Sequence, residues 1–89
     1  MKEIIKLAHP VTLDDGSRLE ALSMRRPTVG DMIAADISGS ANKALSETKL
    51  IARLCDVNIE DLRKVDYADY LAAQAVLLRF LGGDASRPA

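Results

Sequence analysis

Residues Ile5–Arg25 read IKLAHPVTLDDGSRLEALSMR, and the alternation in this stretch decides the fold class. Ile5, Leu7, Val11 and Leu13 share one parity while Lys6, Ala8, Pro10 and Thr12 take the other, which is the period of a half-buried strand. Pro10 has no N–H to give a neighbour, so the strand is expected at an edge or broken there. Asp14-Asp15-Gly16-Ser17 supplies a turn, because Gly16 tolerates positive φ and the Asp side chains can accept from nearby backbone N–H groups. The chain then returns from Leu19 to about Arg25. Leu19 has the opposite parity to Leu22 and Met24, which calls for one extra residue near Glu20 and Ala21. The expected register sets Leu13 opposite Leu19, Val11 opposite Leu22 and His9 opposite Met24, with the bulge in the second strand.

Beyond this hairpin the punctuation becomes helical. Pro27 ends the strand, and Thr28 with Asp31 three residues later is a variant of the capping box that opens a short helix over roughly 29–37. Ser38-Gly39-Ser40 breaks that helix. A second, from about Asn42 to Cys55, carries Leu45, Thr48, Ile51, Ala52 and Cys55 along one stripe. Asn58 can cap a third, short helix through Val65, with Asp61 at its third position. Asp66, with Asp69 three residues on, caps the last helix, and Gly82-Gly83 stops it. The expected fold is α+β: an N-terminal β-hairpin followed by three to four α-helices, the last one long and apolar. It occupies residues 1–83 as a single domain, with a disordered tail over residues 84–89.

The last helix bears on function. Tyr67, Tyr70, Leu71, Gln74, Leu78 and Leu81 recur at helical spacing and are expected on the core. The opposite side is also apolar, through Ala72, Ala73, Val76, Leu77 and Phe80. A helix apolar all round must be covered all round, and a chain of 89 residues builds only a modest core. Two readings of the Val76 and Phe80 face stay open: it meets another protein or a second copy, or the hairpin folds over it.

Composition narrows the classes. Lys and Arg number 12 against 13 Asp and Glu, so the net charge is −1 and the electrostatic footprint of a nucleic-acid binder is missing. Two tyrosines and one phenylalanine are the whole aromatic complement, which leaves the core to aliphatic residues and methionine. A lone cysteine, Cys55, cannot form an internal disulfide and fits a reducing compartment. The charged start Met1-Lys2-Glu3-Ile4-Ile5-Lys6 is unlike a signal peptide, and the apolar run from Tyr70 to Leu81 falls short of the ~20 residues of a membrane span. No membrane association and a cytoplasmic location are expected.

No residue pattern supports catalysis, a metal or a cofactor. His9 is the one histidine and no ligand cluster accompanies it. Asp14-Asp15-Gly16 lacks the distal Glu of a calcium loop. Ser46-Glu47-Thr48-Lys49 matches a Ser-x-x-Lys pattern without the companion elements of penicillin-binding enzymes. Asp61, Asp66 and Asp69 each sit in a first turn or cap, where a negative charge favours the exposed N–H groups. Ile51, Ala52, Cys55, Val57, Leu62 and Val65 have the buried spacing of a helix-turn-helix, which makes a small DNA-binding regulator the alternative reading. Against it, Asp56 stands in the turn where glycine is usual, and the second helix would begin Asn58-Ile59-Glu60-Asp61, aiming carboxylates at phosphates.

Arg25-Arg26-Pro27-Thr28, Asp31, Ala52-Arg53-Leu54-Cys55, Asp61-Leu62, Val65-Asp66, Asp69-Tyr70-Leu71 and Phe80-Leu81, following a leading strand and the Pro10 to Gly16 hairpin, form an ordered pattern. It resembles the tail assembly chaperones of Mu-like and related contractile-tailed phages, over about Ile5 to Leu81. Cys55-Asp56-Val57 departs from the family's Thr-Gly-Leu type of turn. The resemblance implies a non-enzymatic protein, made in the cytoplasm of the bacterial host, that binds the long helical tape measure protein, keeps it soluble for tail-tube assembly and is absent from the finished particle. It also implies contact with the tail tube protein and self-association, and an extended form made by frameshifting, with which Arg79-Phe80-Leu81 is compatible. Ala72, Ala73, Val76, Leu77 and Phe80 are the expected partner-binding residues; Pro27, Thr28, Asp31, Asp66 and Asp69 are the expected structural motif.

Overall fold

The computed structural model describes residues 2–35 and 42–82. β1 (Lys2–Thr12) and β2 (Arg18–Arg25) pair antiparallel, and α1 (Val29–Ala34), α2 (Lys43–Cys55), α3 (Ile59–Leu62) and α4 (Tyr67–Phe80) follow. The fold is therefore α+β, with a hairpin and then four helices among the described residues. The Ser38-Gly39-Ser40 break, the end of the expected first helix and the tail from Asp84 lie outside the described residues.

Turn and cap chemistry act where the residue types place them. Gly16 takes φ 87°. Asp15 Oδ1 accepts from the Ser17 N–H at 2.9 Å and from its hydroxyl at 2.6 Å. Thr28 caps α1 through a complete capping box with Asp31. Asn42 caps α2 by accepting from Leu45 N at 3.0 Å, and Asp66 caps α4 by accepting from Ala68 N at 2.9 Å. Asn58 sits at the start of α3 but makes no side-chain cap, so the expected cap there is corrected: only its carbonyl takes the first helical N–H groups. Asp56 ends α2 in the left-handed region at φ 55° and ψ 45°, the role glycine ordinarily fills.

The register of the hairpin differs from the expected one. Ile5 pairs with Leu22, Lys6 with Ala21, Val11 with Leu19, and Glu3 with Met24. The irregularity lies in β1, between Lys6 and Val11, where four residues face the single Glu20. Pro10 has no N–H, and the N–H groups of Ala8 and His9 donate to the two carboxylate oxygens of Asp69 in α4, each at 2.9 Å. With those donors turned to a helix, β2 has nothing to pair with there. The extra residues therefore accumulate on the strand that contains the proline.

One face of the hairpin and the helices enclose a single buried cluster of Ile5, Leu7, Leu22 and Met24 with Leu50, Ile51, Leu54 and Phe80 among others. α2 lies at its centre. Its second half buries Leu50, Ile51, Ala52, Leu54 and Cys55, a wider arc than the expected stripe, because the hairpin, α1, α3 and α4 surround it; Leu45 in its first turn is exposed.

Candidate functional site

α4 is set against the hairpin by three contacts along its length. Asp69 in its first turn holds the β1 bulge, Arg79 pairs with Glu3 at 3.6 Å, and at its C-terminal end Arg26 donates from Nη2 to the Phe80 carbonyl at 3.2 Å. The Arg26 guanidinium also lies 5.3 Å from the centre of the Phe80 ring, a cation–π contact. These contacts fix which way the helix is turned. Asp69, Ala73, Val76 and Phe80 follow one another by four, three and four residues, so pinning Asp69 to β1 brings that stripe to the core.

The two faces of α4 are consequently exchanged relative to the expectation. Ala73, Val76, Leu77 and Phe80 are buried under the hairpin, at no more than 9% exposure. A partner cannot reach these four without opening the domain; Ala72 alone of the expected partner-binding residues is exposed. The outward stripe is instead Tyr67, Leu71, Leu78 and Leu81, exposed by 71%, 42%, 53% and 54%. Periodicity could not choose between two apolar faces of nearly equal quality, and Gln74 was no guide because it is half-buried beside α2. The usable signal was Pro10: a strand interrupted by proline leaves neighbouring N–H groups that need an acceptor, and Asp69 is the acid that marks the buried face.

Beside this stripe a groove of about 590 Å³ runs between α2, α3 and α4. Tyr67 stacks on Tyr70 with ring centres 6.2 Å apart. The Tyr70 hydroxyl donates to Glu47 Oε1 at 2.9 Å and lies 3.2 Å from the Thr48 hydroxyl, while Gln74 Nε2 donates to the same Glu47 oxygen at 2.7 Å. Burial above all, and then the hydrogen bond to the Glu47 carboxylate, which keeps the phenol protonated, push the Tyr70 phenol up to about 12. This network locks the floor of the groove to α2, so the tyrosine pair and the leucines stand on a rigid support.

A second cluster was not read from the sequence. Asp31 is 2% exposed and receives five donors. Arg25 forks onto both its oxygens at 2.7 Å each, and Arg53 Nε donates at 2.7 Å. The Thr28 N–H donates at 2.7 Å and the Thr28 hydroxyl at 3.0 Å. The Arg25 guanidinium above all holds the Asp31 carboxyl far below the usual carboxylate range. Asp31 thus ties β2, α1 and α2 together. The backbone donors from Ala8 and His9 lower the Asp69 carboxyl in the same sense.

Among the described residues no group of three or more His, Cys, Asp or Glu is placed to hold a metal ion. Burial raises the Cys55 thiol to about 11, away from nucleophilic chemistry. α3 is one turn of four residues bearing Glu60 and Asp61, which offers no recognition helix to a DNA groove. Among the described residues no helix is long and apolar enough to cross a membrane.

The chain is thus a small α+β domain of a hairpin and helices, with apolar side chains on the outward face of its last helix. The family model described as phage tail assembly chaperone proteins, E, or 41 or 14, matches residues 4–82, and the chain belongs to this family. Membership implies a non-enzymatic role and binding to tail proteins. None of the curated proteins and none of the solved structures gives a significant match to the chain.

Proposed function

We propose that this protein binds the tape measure protein through the outward stripe of α4 and keeps it soluble until the tail tube polymerises around it. The observation that supports the reading is the exposure of Tyr67, Leu71, Leu78 and Leu81 in one row on a helix already anchored by its other face. Isolated exposed leucines are ordinary on protein surfaces, but several aligned on one side of a helix beside a groove, here with the half-buried Gln74 between Leu71 and Leu78, are the form taken by helix-in-groove recognition. A long helical client exposes leucine-type side chains at the same spacing, so the two rows can interdigitate and both lose contact with water. The chaperone works in the cytoplasm of the bacterial host and leaves before the particle is complete. Tail tube protein and a second copy of the chain are further partners for the same row.

Co-expression with the tape measure protein tests this. The variant Leu71→Gln, Leu78→Gln, Leu81→Gln touches exposed side chains only, so the chaperone keeps its own circular dichroism and melting temperature. The tape measure protein is expected to move to the insoluble fraction. If it stays fully soluble with the triple variant, the α4 row is not the client site. Detection of the chain in purified virions would instead make it a tail component.

A further inference from the structure

An open cleft of about 640 Å³ lies where the start of β1 and the end of β2 meet the turn from α2 to α3. Its walls carry four cations, Lys2, Arg25, Lys49 and Arg53, and one carboxylate, Asp56. Asp31 lies behind the two arginines and is bonded to both. Four positive charges against the carboxylates of Asp31 and Asp56 leave the cluster at +2. With the whole chain at −1, the remainder carries −3. Positive charge is therefore concentrated in this one concavity, against the sign of the rest of the protein.

The four cations are not equivalent. Arg25 and Arg53 are fixed by Asp31, and Arg53 reaches it through Nε, which leaves its terminal nitrogens available to a second anion. Lys2 and Lys49 are exposed and enter no ion pair among the described residues. Lys2 stands directly opposite Arg25 in the hairpin, so the register itself brings their charges together. Like charges held side by side in a concavity focus potential outward, and a ligand of opposite sign relieves their repulsion.

We propose that this cleft is a docking site for a carboxylate-rich peptide segment of a protein partner. Lys2 and Lys49 take Asp or Glu side chains at the mouth, and Arg25 and Arg53 form a fixed positive wall behind them. Complementarity favours a short acidic peptide over nucleic acid. An extended polyphosphate would have to continue past Asp56 and then Glu60 and Asp61 of α3, and its affinity depends on a long run of cations that the −3 remainder does not offer. The inference goes beyond the α4 row and does not depend on it, since the two sites share no residue.

The test is a nuclear magnetic resonance titration of the isotope-labelled full chain with a capped hexaglutamate peptide at low salt, repeated with a thymidine oligonucleotide of equal charge. Shifts are expected at Lys2, Arg25 and residues 49–57, and not along α4. Lys2→Glu with Lys49→Glu breaks no bond of the fold and is expected to weaken the peptide by about tenfold. Asp56→Asn keeps a side chain that tolerates the left-handed backbone, removes the one acid from the walls, and is expected to tighten the peptide by about twofold to threefold. Lys6→Glu with Lys43→Glu, outside the cleft, leaves binding unchanged. The proposal is overturned if millimolar peptide shifts nothing, if the Lys2 and Lys49 variant binds as wild type does, or if the oligonucleotide binds more tightly than the peptide. Because the probe is a peptide and not the tape measure protein, failure here leaves the α4 reading intact, and the solubility test above leaves this one intact.

Discussion

Replacing Asp31 by Ala removes the acceptor of five hydrogen bonds from a position only 2% exposed. Breaking a fully buried ion pair costs about 3–5 kcal/mol. Here the partners moderate the loss, since the side chains of Arg25 and Arg53 are 38% and 50% exposed and can be hydrated once released. That reduces the ionic part to about 2 kcal/mol, and losing the capping box at the start of α1 adds about 1 kcal/mol. The expected total is about 3 kcal/mol, a large share of the roughly 4–13 kcal/mol available to a domain of this size. Urea titration followed by circular dichroism measures it directly, and the melting temperature is expected to fall by roughly 12–24 °C. The pH dependence has a definite sign. The folded-state carboxyl is depressed relative to an unfolded Asp near pH ~3.9, so its stabilisation is present above that pH and is lost as pH falls through it toward the folded-state value. Asp31→Asn should flatten this acid limb. A loss under about 1 kcal/mol for Asp31→Ala, with the acid limb unchanged, would show that the cluster behaves as a surface ion pair and refute the reasoning.

Three further outcomes follow from the packing. Phe80→Ala is expected to destabilise by about 3 kcal/mol or more, whereas Leu78→Ala, two residues away on the exposed face, should cost under about 0.5 kcal/mol; equal effects in urea titration would mean that α4 is turned the other way. Asp69→Asn removes a charged acceptor from the β1 bulge, so the amide protons of Ala8 and His9 should exchange with solvent faster than in wild type while those of Leu22 and Met24 remain protected. Cys55, buried with its thiol raised to about 11, is expected to react with a thiol reagent at pH 8 only as fast as the domain unfolds, and rapid labelling of the native protein would contradict its place in the core.

What could be read from residues alone was local. Gly16 in the turn, Thr28 with Asp31 at the start of α1 and Asp66 before α4 each satisfy a backbone requirement within three residues of themselves, so type and position suffice. Asp69 misled for the same reason. Its spacing from Asp66 suited a cap, whereas its carboxylate spans some sixty residues to the β1 bulge. Arg25 and Arg53 gave no local reason to meet at Asp31, because the contact exists only once β2, α1 and α2 have converged. The pattern shared with tail assembly chaperones was legible as an order of elements, and the match over residues 4–82 agrees with it.

The chain by itself determined a hairpin, the helices after it, the side-chain caps at Thr28 and Asp66, and an excess of apolar helix surface over what one small core can cover. The tertiary structure decided where the hairpin slips and which side of α4 is left in water. The reason is that helical periodicity fixes which residues share a face but not which of two apolar faces turns inward. That choice fell to a pair of strand N–H groups beside Pro10, whose bonds to Asp69 bury Ala73, Val76 and Phe80 and leave Tyr67, Leu71, Leu78 and Leu81 outside.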